Sequence, residues 1–283
     1  MAVPQLLSAA KWWLVEHPTV ASFEWDDRLT WAASPRFPAA VVAAYLSVTF
    51  LLRGLLLSRS GPPLALRRLV RVISPLHNVF LFLLSFFMAA GCCLGTAAQM
   101  PSPSWIFCFP PGSTHPRGPV FFWAYVFYLS KIYEFVDTLL IVLASDWRRL
   151  SFLHVYHHAA VVGVCYQWLS ARQSLLPVGL VTNASVHVVM YAYYLCSSLG
   201  WRWSPRWKRA VTTCQIVQFC FSFAVSLVFF WLHFFGAGGK GCSGGIRGWA
   251  QNGAFNASLL TLFFNFHRVN YNSSKLKANG KAH

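Results

Sequence analysis

Three imidazoles interrupt the otherwise apolar stretch "FLHVYHHAAVVG": His154, His157 and His158. At i, i+3 and i+4 they fall within an arc of about 100° on a helix, so all three would project toward one region. A second polar grouping, "KIYEFVDTLL", places Lys131 and Glu134 at i, i+3 with Thr138 on the same face and Asp137 flanking it. A third, "NASVHVVMYAYY", aligns Asn183, His187, Met190, Tyr191 and Tyr194 on one stripe, with Tyr193 at its edge. A fourth, "TTCQIVQF", sets Thr212, Gln215 and Gln218 along one flank. A lone buried histidine is usually hydrogen-bonded packing, but four neighbouring helices that each carry such a stripe argue for an enclosed polar cavity.

Three chemistries compete for these groups. Clustered histidines ligate zinc or iron, and His154, His157, His158 and His187 would supply a mononuclear site. The eight histidines of a di-iron membrane oxygenase are not on offer, because His77, His233 and His267 are single and His17, His115 and His283 lie in terminal or loop sequence. Acyl transfer is the second chemistry. A neutral imidazole serves as nucleophile or general base, a carboxylate from Glu134 or Asp137 orients it, and amides and tyrosines donate to a developing oxyanion or enolate. The third is a receptor or transporter whose buried charges line a ligand or ion pathway, against which stand the lack of an inverted repeat and the very short connection before His154. Acyl transfer uses every unusual feature at once.

The elements that must position these residues are membrane helices. Of 283 residues 56% are hydrophobic and only 11% charged, and mean hydropathy is +0.48, which excludes an average soluble domain. The net charge of +16 would suit nucleic acid, but Lys and Arg sit in short groups between long apolar stretches, so no nucleic-acid surface is expected. Hydropathy predicts an all-α membrane protein with seven spans, at about residues 37–57, 70–95, 119–144, 152–170, 175–199, 210–235 and 249–267. Fourteen Lys and Arg then fall on one side and seven on the other, which predicts a cytosolic C-terminus and an N-terminus across the membrane. The corresponding division is a luminal segment 1–36, a transmembrane domain 37–267 and a basic tail 268–283. Glu16, Glu24, Asp26 and Asp27 in the first thirty residues argue against a cleavable leader.

Only seven carboxylates occur in the chain, yet Glu134 and Asp137 share the third span with Lys131. Each charge at a helix centre costs about 2.5 to 3.5 kcal/mol on insertion scales, so all three are expected to point inward. "MPSPSWIFCFPPGSTHPRGP" and "GAGGKGCSGG" read as loops on the non-cytosolic side. Each holds one cysteine, Cys108 and Cys242, a pair able to form a disulfide if that side is oxidising; two free thiols is the other reading. The eight cysteines include no CxxC pair, which argues against a structural zinc module.

Taken in order, the four stretches resemble the KxxExxDT, HxxHH, NxxxHxxMYxYY and TxxQxxQ signatures of the ELO family of very-long-chain fatty acid elongases, over about residues 40 to 270. "HVYHH" beside "DWRRLS" is similar to the plant branch. The resemblance implies a seven-helix 3-oxoacyl-CoA synthase of the endoplasmic reticulum membrane. Its substrates would be a long-chain acyl-CoA and malonyl-CoA, with no metal and no redox cofactor. It further implies His157 as acyl acceptor with His187 as its partner, and CoA contacts from Lys131, Tyr193, Lys208, Thr212, Gln215 and Arg268. Glu134, Asp137, His154, His158, Asn183 and Gln218 would shape the site, and a reductase and a dehydratase would complete the cycle. The chain departs from the family by placing Ala144, Ser145 and Asp146 where a basic run often follows the first motif, with Arg148 and Arg149 a few residues later. Slot depth is expected to depend on bulky residues at far helix ends, around Leu227 to Phe235. Oligomeric state stays open.

Overall fold

The computed structural model describes residues 2–58, 62–236 and 239–272. The remaining basic-tail residues fall outside the described set. The described residues are helical apart from loops, with one isolated antiparallel bridge between Glu24 and Arg117. The N-terminal segment holds α1 (Ala2–Lys11), a π-helical turn (Trp12–Glu16) and α2 (Pro18–Ala21). Beyond it come α3 (Arg36–Leu57), α4 (Leu64–Gln99), α5 (Pro119–Tyr133), α6 (Phe135–Leu143), α7 (Phe152–Ser170), α8 (Leu176–Ser198), α9 (Pro205–Phe235) and α10 (Gly245–His267). Each expected span therefore coincides with helix. By length and composition α3, α4, α8 and α9 suffice to cross a membrane.

Local chemistry explains where these helices begin and end. Ser151 caps α7, its hydroxyl accepting from the amide of His154 at 3.2 Å, which satisfies one of the orphan donors of a helix start. Prolines occupy the first turn of α5, α8 and α9, where a missing N–H costs nothing. α4 stops at Met100, held extended immediately before Pro101. Gly244 takes φ +78° to launch α10, a conformation that disfavours any residue with a Cβ.

The third span differs from the expected continuous helix. It breaks at Glu134, and the amide of Asp137 bonds the carbonyl of Glu134 at 3.0 Å, an i→i+3 contact that tightens the chain by one residue. The break rotates α6 relative to α5. Lys131 and Glu134 therefore face α8, Thr138 reaches α7 and α3, and Asp137 reaches α4 and α8.

Six elements close on one another in a ring: α4 beside α5, α5 beside α7, α7 beside α10, α10 beside α9, α9 beside α8, and α8 beside α4 in the most extensive packing of the fold. α3 lies outside, against α6 and α7. Most of its apolar side chains, such as Phe50, Leu51 and Leu55, are accordingly exposed. The main core gathers Phe121, Phe127 and Tyr128 of α5 with Val162 and Leu169 of α7 and Leu176 and Leu180 of α8. At one end of the ring Cys108 and Cys242 form a disulfide, Cα atoms 5.1 Å apart. Beside it the Ser174 hydroxyl accepts from the Phe109 amide at 3.0 Å and donates to the Ser243 carbonyl at 2.9 Å, and the Ser243 amide returns to Phe109 at 2.8 Å. Three loops are thus tied together at this end.

Candidate functional site

Where the i, i+3 spacing of Lys131 and Glu134 meets the break in the third span, the two charges form an ion pair of 2.7 Å, each side chain 1% exposed. The ammonium also lies 4.3 Å from the centre of the Phe127 ring. His187 of α8 joins them, Nδ1 standing 3.5 Å from both Lys131 Nζ and Glu134 Oε1. The second carboxylate oxygen of Glu134 is buried without a hydrogen-bond partner among the described residues. Such a group is costly in a dry interior, and active sites are where proteins retain one.

The histidine box divides its work. His154 Nε2 is engaged by the Thr138 hydroxyl at 2.8 Å, and Thr138 in turn contacts the Tyr45 hydroxyl at 3.1 Å. His158 is buried with its ring 4.4 Å from that of His154 and 5.4 Å from that of His157. His157 stacks its face toward Phe255 of α10, and its Nδ1 is buried without a hydrogen-bond partner among the described residues. His157 also lies within electrostatic reach of His187, Lys131, Glu134 and His154.

His157 lines a cavity inside the ring, between α5, α7, α8, α9 and α10. Mid-wall it carries a polar seam: Asn183 Nδ2 donates to Gln218 Oε1 at 3.4 Å, and Asn256 Nδ2 donates to Ser222 Oγ at 3.1 Å. Toward the tied end the walls are Phe127, Val161, Cys165, Val225 and Leu176, and Trp168 and Gln173 stand at that end. The Trp168 indole donates to Asn252 Oδ1 at 3.2 Å. A Cβ on Gly179 would approach the Trp168 ring to 2.8 Å, so only glycine lets α8 pass so close.

Expected residues fall into two sets. Lys131, Glu134, His187, His154, His157, His158, Asn183 and Gln218 converge on the cluster or its cavity. Tyr193, Lys208, Thr212, Gln215 and Arg268 sit toward the other end of the ring. Lys208 and Arg268 are exposed, Tyr193 packs near Trp203, and Gln215 Nε2 donates to Met190 Sδ at 3.4 Å. The Arg149 guanidinium lies 5.6 Å from the Tyr194 ring centre at the same end, where Arg148 is also exposed. Among the described residues no group of three or more His, Cys, Asp or Glu is arranged to hold a metal ion, so the ligand set of the metal reading is not assembled.

Two sequence expectations are revised here. Residues 227–235, expected near the bottom of a slot, do not line the cavity: Leu227 and Phe235 are 70% and 78% exposed, while Phe229 is buried beside His233. The cavity is lined instead by residues that include Trp168 and Gln173. His77, read as a single histidine, is buried at the heart of a polar group: its Nε2 lies 3.1 Å from Asp137 Oδ1. The signal was present in "LHNV", where His77 and Asn78 interrupt an apolar span.

With this geometry in hand, comparison with known proteins is informative. The model of the family described as ELO: GNS1/SUR4 matches residues 30–279. "Fatty acid elongase sre1" of Dictyostelium discoideum is 32% identical over 90% of each chain. "Fatty acid elongase 3-like" of Arabidopsis thaliana is 28% identical over 93% of this chain and 92% of its own. Human "Very long chain fatty acid elongase 6" is 40% identical over a shorter stretch, 41% of this chain and 44% of its own.

Proposed function

Because the chain belongs to the ELO: GNS1/SUR4 family, we propose that it is the condensing enzyme of fatty acid elongation, joining a long-chain acyl-CoA to malonyl-CoA. The observation that carries this reading is His157: an imidazole with an unpartnered buried nitrogen, lining a largely apolar cavity beside a second histidine held by an ion pair. His157 attacks the thioester carbonyl, an N–acyl bond forms, the C–S bond breaks and CoA leaves with a proton. Malonyl-CoA then loses carbon dioxide. The electron pair of the broken C–C bond passes to the α-carbon, which attacks the acyl carbon; the new C–C bond forms as the N–acyl bond breaks, and the departing imidazole nitrogen takes up a proton from solvent to return neutral. His187 sits where it would position the second substrate, and Lys131 would counter the negative charge that develops during both steps. The acyl tail would occupy the cavity toward Trp168.

The exposed Arg148, Arg149, Lys208 and Arg268 favour a mouth for the CoA phosphates at the opposite end of the ring. In this reading all seven helical spans cross the endoplasmic reticulum membrane, with residues 1–36 luminal and 268–283 cytosolic, and the enzyme works beside a reductase and a dehydratase. Incubating microsomes that contain the protein with labelled malonyl-CoA and a panel of acyl-CoAs tests the assignment. Labelled products two carbons longer are expected; no malonyl incorporation with any acyl-CoA would remove it.

A further inference from the structure

His77 belongs to α4, a helix that carries none of the four signature stretches, yet it is 3% exposed and fully engaged. Its Nε2 is 3.1 Å from Asp137 Oδ1; a carboxylate only accepts, so this nitrogen carries the hydrogen. Its Nδ1 is 3.4 Å from the Tyr133 hydroxyl. The other carboxylate oxygen of Asp137 accepts from the Tyr191 hydroxyl at 2.7 Å. Tyr191, fully buried, sets its ring edge against His187, centroids 5.6 Å apart. His187 is therefore bracketed, with Tyr191 on one side and the Lys131–Glu134 pair on the other.

We propose that His77 is a positioning residue for the condensation step: it fixes the Asp137 carboxylate, Asp137 fixes the Tyr191 hydroxyl, and the Tyr191 ring fixes the tilt of His187 toward the second substrate. Each link is a named contact. The proposal rests on the reading of His157 as acyl acceptor and His187 as the group serving malonyl-CoA. His77 then lies on the His187 side of the site. Its loss slows the malonyl-dependent half of the reaction and spares the acylation of His157, a split that loss of packing alone would not produce.

The test uses the full-length protein in detergent or liposomes, with two readouts: CoA released from acyl-CoA when malonyl-CoA is withheld, and 3-oxoacyl-CoA formed when it is supplied. His77→Leu should lower the second rate by about 10²-fold, the scale on which a small misplacement of a reacting group acts, and leave the first within about twofold. His77→Gln, which returns an N–H donor near the position of Nε2, should restore most of the lost rate. Tyr191→Phe should reproduce the split, and the His77→Leu/Tyr191→Phe double variant should be no slower than the slower single one, because both break one chain of contacts. Should His77→Leu fail to accumulate, Tyr191→Phe and His77→Gln decide the matter alone. Equal loss of both rates in the variants that fold, or additive losses in the double variant, would overturn the proposal. A wild-type protein that elongates without any malonyl-independent CoA release would instead strike the acyl-histidine reading, and the proposal with it.

Discussion

Removing the His157 imidazole takes away the atom that would carry the acyl chain. His157→Ala should lower elongation by at least about 10³-fold, within the range a single acid, base or nucleophile contributes, while the protein still accumulates in the membrane. Labelled malonyl incorporation checks it, and substantial retained activity would remove His157 from its role. Glu134 makes a different demand. Glu134→Gln leaves the Lys131 ammonium buried without its counter-ion, at a cost of about 3 to 5 kcal/mol, so the thermal midpoint in detergent should fall well below wild type. Lys131→Met together with Glu134→Gln should recover part of that loss, because the pair is then neutral on both sides. If the single variant melts like wild type, the pair carries no structural weight.

At the scale of the helix, two elements shape the reaction space. The break at Glu134 lets one short stretch address α3, α4, α7 and α8 at once, which a continuous helix with its side chains on one face would not do. The close passage of α8 over Trp168 shapes the wall of the cavity. Eleven residues along α7 place Trp168 about 16 Å beyond His157 at 1.5 Å per residue, a span suited to a long tail. Trp168→Ala should move the preferred products to longer chains, and Gly179→Leu, which drives Trp168 into the cavity, should move them to shorter ones; chromatography of products from a mixed acyl-CoA panel reads both shifts. An unchanged product profile in both variants would take the tail out of this cavity.

Much of this level was legible beforehand. Each stretch that hydropathy marked coincides with helix to within a few residues at most ends, and helical spacing set Lys131, Glu134 and His187 within contact of one another. The break at Glu134 was not legible, since i, i+3 charges fit an unbroken helix equally well. Nor was the floor of the cavity. Lipid-facing and cavity-facing positions both favour large apolar side chains in a bilayer, so Leu227 and Phe235 carried no mark of their outward orientation. The interior is distinguished instead by a glycine and by small amides such as Asn252 and Asn256, whose meaning depends on which helix they face.

For the whole molecule, the Cys108–Cys242 bond closes a loop with a sequence separation of 134 residues. Its loss should cost about 5 kcal/mol by loop-closure entropy. Cys108→Ser is therefore expected to lower the thermal midpoint and to melt like reductant-treated wild type. A variant that matches the oxidised wild type would show the crosslink to be dispensable. The same bond and the Ser174 and Ser243 contacts beside it tie the loops at one end of the ring, which in the proposed reading makes the acyl chamber a blind alley. A hydrocarbon can enter a blind alley only by its methyl terminus and must back out by the same path. In that reading the lengthened product would withdraw before another round, so successive additions would be separate visits, and the depth of the alley would work as a ruler applied afresh at each one.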